Sequence, residues 1–465
     1  YLITFTLRDD GTSRFSPSNR WGLFPSVALA WRMSDEAFFK KFDKLSNLKL
    51  RASWGKTGSM DGISNWAAMS LVTSGGNSYN GSSGFKIGAD AADLIWEKAN
   101  QVNVGINAEL FNGRLALSVD GYYQKTSGLL YNISTLATTG YTTRTANIGS
   151  LENKGLEVMV SGKIFDGPFK WELATNLSYT KNKLLSLDGV LDMKINGGGA
   201  NTGKVMHALM VGKPVSAFYM LRQDGIYQTD QEVPSKLYAK GVRAGDCKYF
   251  DYNNDGDITD DDRMYVGKVT PDIYGGITST MNWKNFDLSI FCQFAAGGKI
   301  LSAWKGCGGT EGTEHLGLAS SSIKGYKNGT LVDSEQFYNI SKYAANHYWR
   351  GEGTSNTVPR PTLAGTFTGG FGNNLVSTRY LEDASYFKFK TITLGYSLPH
   401  SLLSKIHVTG ARIFVSLDNF FTLTKYSGYD PEFSYESNPT GNSYGADFGE
   451  QATLKSFIIG ASINF

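Results

Sequence analysis

The sequence predicts an all-β protein, a transmembrane antiparallel β-barrel with long extracellular loops, and three observations carry that prediction. Strand-length segments with apolar residues at every second position recur through the 465 residues, as a period-two element requires. Short and long connections alternate between them. In whole segments one face is nearly free of charge while the other is not.

The alternation places strands near residues 1–8, 21–33, 48–57, 97–111, 114–125 and 151–165, then 168–182, 271–283, 285–296, 381–397, 411–422 and 451–465. Most approach the roughly 9–11 residues that cross a bilayer at a tilt. In the clearest pair, Val102, Val104, Ile106, Ala108 and Leu110 alternate with Asn103, Gly105, Asn107 and Glu109. Asn112-Gly113, a turn pair that matches strand twist, leads into Leu115, Leu117, Val119 and Tyr123. Phe169, Trp171, Leu173, Leu177 and Tyr179 form an outward set against Lys170, Glu172, Asn176 and Ser178. A lipid-facing Arg or Lys at mid-depth costs about 2–4 kcal/mol, so a spanning strand is purged of charge on one face only. Phe111, Phe165, Phe169, Trp283 and Phe286 gather beside the short turns, where an interfacial girdle sits. The last segment carries Phe457, Ile459, Ala461, Ile463 and the terminal Phe465 on one face.

Short connections fall at Asn112-Gly113, Asp166-Gly167-Pro168 and Lys284-Asn285, and medium ones near 34–47 and 398–410. Long ones cover about 58–93, 126–150, 183–270, 297–380 and 423–450. Barrels of the outer membrane keep short turns on the periplasmic side, so this parity puts the long insertions outside the cell. Tyr1–Leu7 already reads as a strand with no leader before it, from which we expect a missing amino-terminal portion.

Composition agrees. The 54 glycines, 27 Phe, 25 Tyr and 9 Trp suit many turns and aromatic girdles. No run approaches the roughly 20 apolar residues of a spanning helix. A mean hydropathy of -0.25 is compatible with a barrel whose inner face is wet. A net charge of +3 without a basic stripe argues against a nucleic-acid partner. Cys247, Cys292 and Cys307 lack metal-ligand spacing, and Cys292 falls in register with Leu288, Ile290 and Phe294 as a small apolar residue of the outer face.

One motif suggests a metal. Residues 251–262 read Asp-Tyr-Asn-Asn-Asp-Gly-Asp-Ile-Thr-Asp-Asp-Asp. Oxygen donors at loop positions 1, 3, 5, 7, 9 and 12, with glycine at position 6, follow the EF-hand spacing for calcium. Asp251, Asn253 and Asp255 would converge on the ion, Asp257 would offer its backbone carbonyl, Thr259 would act through water and Asp262 would close the shell. No amphipathic helix is expected on either flank, and a solvated acidic loop is the competing reading.

Catalytic signatures are missing. His207, His315, His347, His400 and His407 are scattered, without a paired metal spacing or a nucleophile elbow. Gly197–Gly199 and Gly369-Gly370 lack the Lys-Ser/Thr ending of a phosphate loop. We therefore expect no enzyme. Tyr348-Trp349 near Glu352 and Arg360, and Phe367 with Phe371, suit sugar rings, peptides, loop packing or a lipoprotein partner equally, so no substrate residue is singled out.

Several longer stretches carry a resemblance. Tyr1–Ser26, Leu48–Gly58 (Leu-Lys-Leu-Arg-Ala-Ser-Trp-Gly-Lys-Thr-Gly), Asn153–Glu157, Val211–Tyr219, Arg379–Tyr386 and Tyr426–Glu432 resemble SusC-like TonB-dependent transporters of the Bacteroidetes outer membrane. Phe465 resembles the terminal signal read by the barrel-insertion machinery. The resemblance implies a 22-stranded barrel of which this chain supplies the carboxy-terminal part, an amino-terminal plug and first strands not included in it, and energy coupling through TonB. It also implies a SusD-like surface lipoprotein as lid, outer-membrane lipid as surroundings and nutrient import, with oligosaccharide first and peptide as the alternative. Residues 1–465 then form a partial barrel, with 183–270 as a long insertion bearing the calcium-like loop. From a different class, a secreted calcium-dependent β-sandwich adhesin that binds glycans also fits the alternation. It would bury the Val102/Leu115 side as a dry core between two sheets. A barrel enzyme is a third reading.

Overall fold

The computed structural model describes the chain apart from residues 40–41, 43, 80–81, 89–92, 135, 137, 139–142, 188–192, 197–206, 306–316, 319–324, 328–329, 333–340, 364–371, 374, 404–407, 433–443, 450–451 and 465. Gly197–Gly199, Cys307, His315, Phe367, Gly369-Gly370, Phe371, His407 and Phe465 lie outside the described residues.

Twelve strands form one sheet in chain order, each antiparallel to the next. They are β1 (Leu2–Gly11), β2 (Trp21–Arg32), β3 (Leu45–Ser59), β4 (Glu97–Leu110), β5 (Leu115–Ser134) and β6 (Thr143–Asp166). The rest are β7 (Phe169–Ser186), β8 (Ile273–Trp283), β9 (Phe286–Ala296), β10 (Tyr386–Ser397), β11 (Gly410–Thr424) and β12 (Ser456–Asn464). A single sheet replaces the two stacked sheets that a sandwich needs.

Register carries the apolar set across the whole sheet. Ile3 faces Leu29, Leu29 faces Ala52, and Ala52 faces Val104. The row continues through Val119 beside Ile106 and Val158 beside Val119. Leu177 follows beside Val158, and farther along Cys292 lies between Ile277 and Phe389 on the same face, as expected. This face has no core above it: Val104 is 57% exposed and Ile459 66%. Soluble proteins rarely expose a contiguous apolar surface of this extent, whereas a lipid-facing wall must.

Four boundaries differ from the sequence expectation. The presumed loop 126–150 is largely strand, because β5 runs to Ser134 and β6 starts at Thr143, with Leu129 paired to Ile148 and Tyr131 to Ala146. Alternation continues there on a segment that packs against Leu184, Leu187 and Leu209. The expected strand 381–397 is two. Asp383 accepts hydrogen bonds from the Ser385 backbone N–H (2.9 Å) and hydroxyl (2.6 Å), which turns the chain between Leu381–Asp383 and β10. The strand 451–465 begins only at Ser456. The Asn-Gly hairpin is a four-residue turn: the ladder closes at Leu110 and Leu115, and Phe111, Asn112 and Gly113 all take positive φ. Lys284-Asn285 is a two-residue connection, with Lys284 at φ 53°. In the Asn153–Glu157 motif, Gly155 has no room for a side chain, because the Tyr122 ring and the Tyr179 carbonyl lie against its Cα.

The buried core sits at the other end, among the long connections. Leu221, Tyr227, Val233, Leu237, Val242, Cys247 and Tyr249 pack with Leu375, which joins the insertion after β7 to that after β9. Phe218, Met220, Leu301, Tyr380 and Ala446 form a second cluster that adds the segment after β11. Leu381–Asp383, Lys299–Ser302 and Ala446–Asp447 make a small sheet within it. Apolar residues thus stay exposed along the sheet and bury in the cap, the distribution expected where lipid covers the one and water the other.

Candidate functional site

The face of the sheet opposite the apolar row presents a polar wall. Arg51 of β3 reaches across β4 to β5, donating to both Asp120 carboxylate oxygens at 2.8 Å and to Asn107 at 2.5 Å. The Ser118 hydroxyl donates to the same carboxylate at 3.0 Å. Farther round, Arg412 of β11 forms a two-point pair with Asp287 of β9 at 2.9 and 2.5 Å. Such forks hold a guanidinium in one orientation and leave its charge balanced. The wall presents hydrogen-bond donors and acceptors on the face opposite the apolar row.

At the cap end Lys388 of β10 is 2% exposed and holds the segment after β11. Its ammonium donates to Asp430 at 2.9 Å and also to Glu432, which is shared with Lys390 at 2.9 Å and with the Tyr386 hydroxyl at 2.9 Å. Thr453 donates to the other Asp430 oxygen. Burial pushes both acids up, but the Lys388 ammonium and the surrounding donors outweigh it and hold each below the usual carboxylate range. The sequence offered Tyr426–Glu432 only as a resemblance, since the separation of 42 positions from Lys388 to Asp430 hides the pairing.

A second buried anchor is Asp246, fully buried, which accepts two bonds from Arg360 at 2.8 and 2.9 Å, one from Asn373 at 3.0 Å and one from the Arg243 N–H at 2.8 Å. Arg360 therefore serves the cap, and Trp349 donates to Gln228 at 3.2 Å. Tyr348 lies under the Arg350 guanidinium at 4.4 Å. Tyr348 and Trp349, whose sequence context suited ligands equally well, are thus engaged in the cap's own packing, while Phe367 and Phe371 lie outside the described residues. Burial pushes the Cys247 thiol up, leaving it an inert apolar group.

The calcium-like loop lies in this cap, in the insertion after β7, on the side of the long connections. Asp251 accepts the N–H of Asp255 at 3.2 Å and of Gly256 at 2.8 Å, and Asn253 also accepts the Asp255 N–H at 3.0 Å. Gly256 takes φ 77°, the sharp turn that position requires. Asp262 is fully buried and accepts from the backbone N–H of Tyr252 at 2.9 Å and of Thr259 at 2.7 Å, which ties the two ends of the loop together. Ile258 packs on the cap core. The Asp257 carboxylate turns away to Lys240 at 2.6 Å, which holds it below its ordinary range and leaves its backbone carbonyl as the group available to an ion. Asp255 accepts from Asn253 at 3.3 Å. The short helix Ser235–Ala239 supplies Lys236, whose ammonium donates to the Asp255 backbone carbonyl. Among the described residues no three acidic, His or Cys side chains converge at metal-holding separation. The loop thus has the turn and donor order of a calcium site, with its carboxylates closed on their own backbone.

Known proteins resemble this chain along its whole length. The family model described as TonB dependent receptor-like, beta-barrel matches residues 1–290. TonB-dependent receptor P3 of Formosa agariphila is 31% identical over the full chain and 44% of its own length. TonB-dependent receptor SusC of Bacteroides thetaiotaomicron is 29% identical, again over the full chain and 42% of its own length. A structure of the RagAB peptide transporter superposes with a TM-score of 0.77 at 25% identity, covering the full chain and 45% of that chain. The chain spans less than half the length of the curated relatives it matches. With a twelve-stranded wall that is apolar outside and polar inside, this chain belongs to the TonB-dependent receptor-like β-barrel family.

Proposed function

We propose that the protein to which this wall belongs imports a nutrient across the outer membrane, driven through TonB and covered by a SusD-like surface lipoprotein. The observation that carries it is the polar inner wall, with Arg51–Asp120 and Arg412–Asp287 facing a passage beneath a cap of long insertions. The plug and TonB-contacting segment would be supplied by residues beyond those of this chain. Oligosaccharide is the first substrate class, on the resemblance to SusC-like transporters. Peptide is the second, favoured by the superposition on the RagAB peptide transporter. Cells carrying and lacking the gene, each with and without TonB, are to be compared for uptake of labelled oligosaccharides and peptides. Uptake of one class that needs both gene and TonB is the expected result; equal uptake in all four strains would refute import.

We also propose that Asp251, Asn253, Asp255, the Asp257 carbonyl, Thr259 and Asp262 take up calcium and rigidify the cap rather than do chemistry. The fixed turn at Gly256 and the buried Asp262 support this reading. Bound calcium would replace the N–H groups now satisfying Asp251 as its main electrostatic partner. Removing calcium with a chelator is expected to lower hydrogen-exchange protection across residues 240–265, and Asp251→Asn to abolish the difference. Protection that ignores calcium would reject the site.

A further inference from the structure

At the short-turn end of the sheet, the connection from β2 to β3 departs from the tight turns beside it. Its backbone N–H groups donate three residues back in series: Glu36 to Met33 at 3.1 Å, then Phe39 to Glu36, Phe42 to Phe39 and Leu45 to Phe42, each at 3.0 Å. A repeat of three eclipses side chains along one edge, which brings the Phe39 and Phe42 rings to 5.4 Å. The ring contacts then continue without a break. Phe38 meets Phe39 at 5.3 Å and Trp31 edge-on at 6.4 Å, and Trp31 stacks on Tyr1 at 5.9 Å.

The polar groups of this aromatic shelf are bonded to one another or to the strands beside it. The Trp31 indole N–H donates to Glu36 at 2.9 Å, Arg32 pairs with Asp35 at 3.5 Å and Ser34 donates to Asn47 at 3.3 Å. Of its rings, Phe38 is 54% and Phe42 59% exposed. Alongside the shelf, Ala52 is small among Ile3, Leu29, Leu50, Val104 and Ile106, and the gap over it is an apolar groove of about 630 Å³. Shelf and groove are continuous with the apolar row of the sheet, through Trp31 paired to Leu50. An amphipathic element whose rings extend a lipid-facing surface at its rim lies in the headgroup and acyl boundary.

We propose that Phe38, Phe39 and Phe42 of this connection and the groove above them hold a glycerophospholipid of the leaflet at the short-turn end, with an acyl chain over Ala52 and the glycerol level at the Trp31–Phe38 rings. The assignment rests on the apolar face meeting lipid, and the experiment separates the two. The photoreactive residue p-benzoylphenylalanine is placed, in the complete protein in its own membrane, at Phe38, Phe42, Val104 or Ser289 of the inner wall. Adducts are weighed after irradiation. Phospholipid adducts at Phe38, Phe42 and Val104, several-fold above Ser289, are expected. Adducts at Val104 but not at Phe38 or Phe42 would overturn the shelf, as would a protein adduct at Phe42 from a second copy. Absence at Val104 as well would overturn the membrane-facing wall itself. Ala52→Trp, which fills the groove, is expected to strip co-purifying phospholipid detected by native mass spectrometry, whereas Ala52→Gly keeps it. Retention in Ala52→Trp would overturn the groove as the acyl site.

Discussion

Val104→Arg is expected to destabilise the folded protein in lipid vesicles by about 2–4 kcal/mol, the cost of a guanidinium near the bilayer midplane on the lipid face. Val104 lies within β4, six residues before its short-turn end, 57% exposed and flanked on the same face by Ala52. Asn103→Arg, one residue away on the opposite face, is expected to change stability by less than about 0.5 kcal/mol, as for most substitutions that meet water. The contrast is the informative quantity. In a soluble sheet with the Val102 side as a dry core, Val104→Arg would damage the protein in buffer too, and lipid thickness would not matter. In a membrane wall the penalty should fall for positions nearer the short turns. Denaturant unfolding from vesicles, followed by heat-modifiable migration on gels, reads both variants. Equal stability of the two would remove lipid from the apolar face.

Lys388→Met should have a larger effect still on the cap end. Removing one partner of a buried ion pair leaves the other charge uncompensated, at about 3–5 kcal/mol. Asp430 is 7% exposed and would lose its ammonium partner, while Glu432 would keep Lys390. The segment after β11 should then detach from β10, which limited proteolysis near residues 425–432 would detect. Adding Asp430→Asn and Glu432→Gln to Lys388→Met is expected to restore part of the loss, because no buried charge then lacks a partner. Acid should mimic the single variant. Both acids are held below the 3.8 and 4.5 of free Asp and Glu by Lys388, so their contribution is present in full above those values. It is lost as pH falls through the depressed ones. Proteolysis of the segment should therefore rise in wild type below about pH 4 and be pH-independent in the triple variant. A triple variant no better than Lys388→Met would show that the ion pairs do not hold this segment.

Much of the wall was legible because its signal is local. All twelve strands of the sheet were anticipated at the right places, and so was Cys292 on the apolar face, since period two and charge segregation act within about ten residues. The errors sit where a distant partner overrides local pattern. The stretch 126–150 was read as a long connection, yet Leu129 and Tyr131 extend β5 by pairing with Ile148 and Ala146 and packing in one cluster with Leu209. Asp383 and Ser385 broke one expected strand through a side-chain bond. For the calcium-like loop, spacing predicted the turn at Gly256, but Lys240 beside Asp257 comes from 17 residues upstream.

The amino-acid order alone determined that one face of each strand is greasy and the other wet, a pattern that a lipid-facing wall and a dry-cored sandwich share. Tertiary structure decided what that order cannot encode locally: that the strands join one sheet, that Lys388 meets Asp430, that Asp246 meets Arg360, and that an aromatic shelf projects from the β2–β3 connection. Period and charge are properties of neighbours in sequence, whereas a buried ion pair depends on which distant segments share a dry space, and only packing assigns those partners.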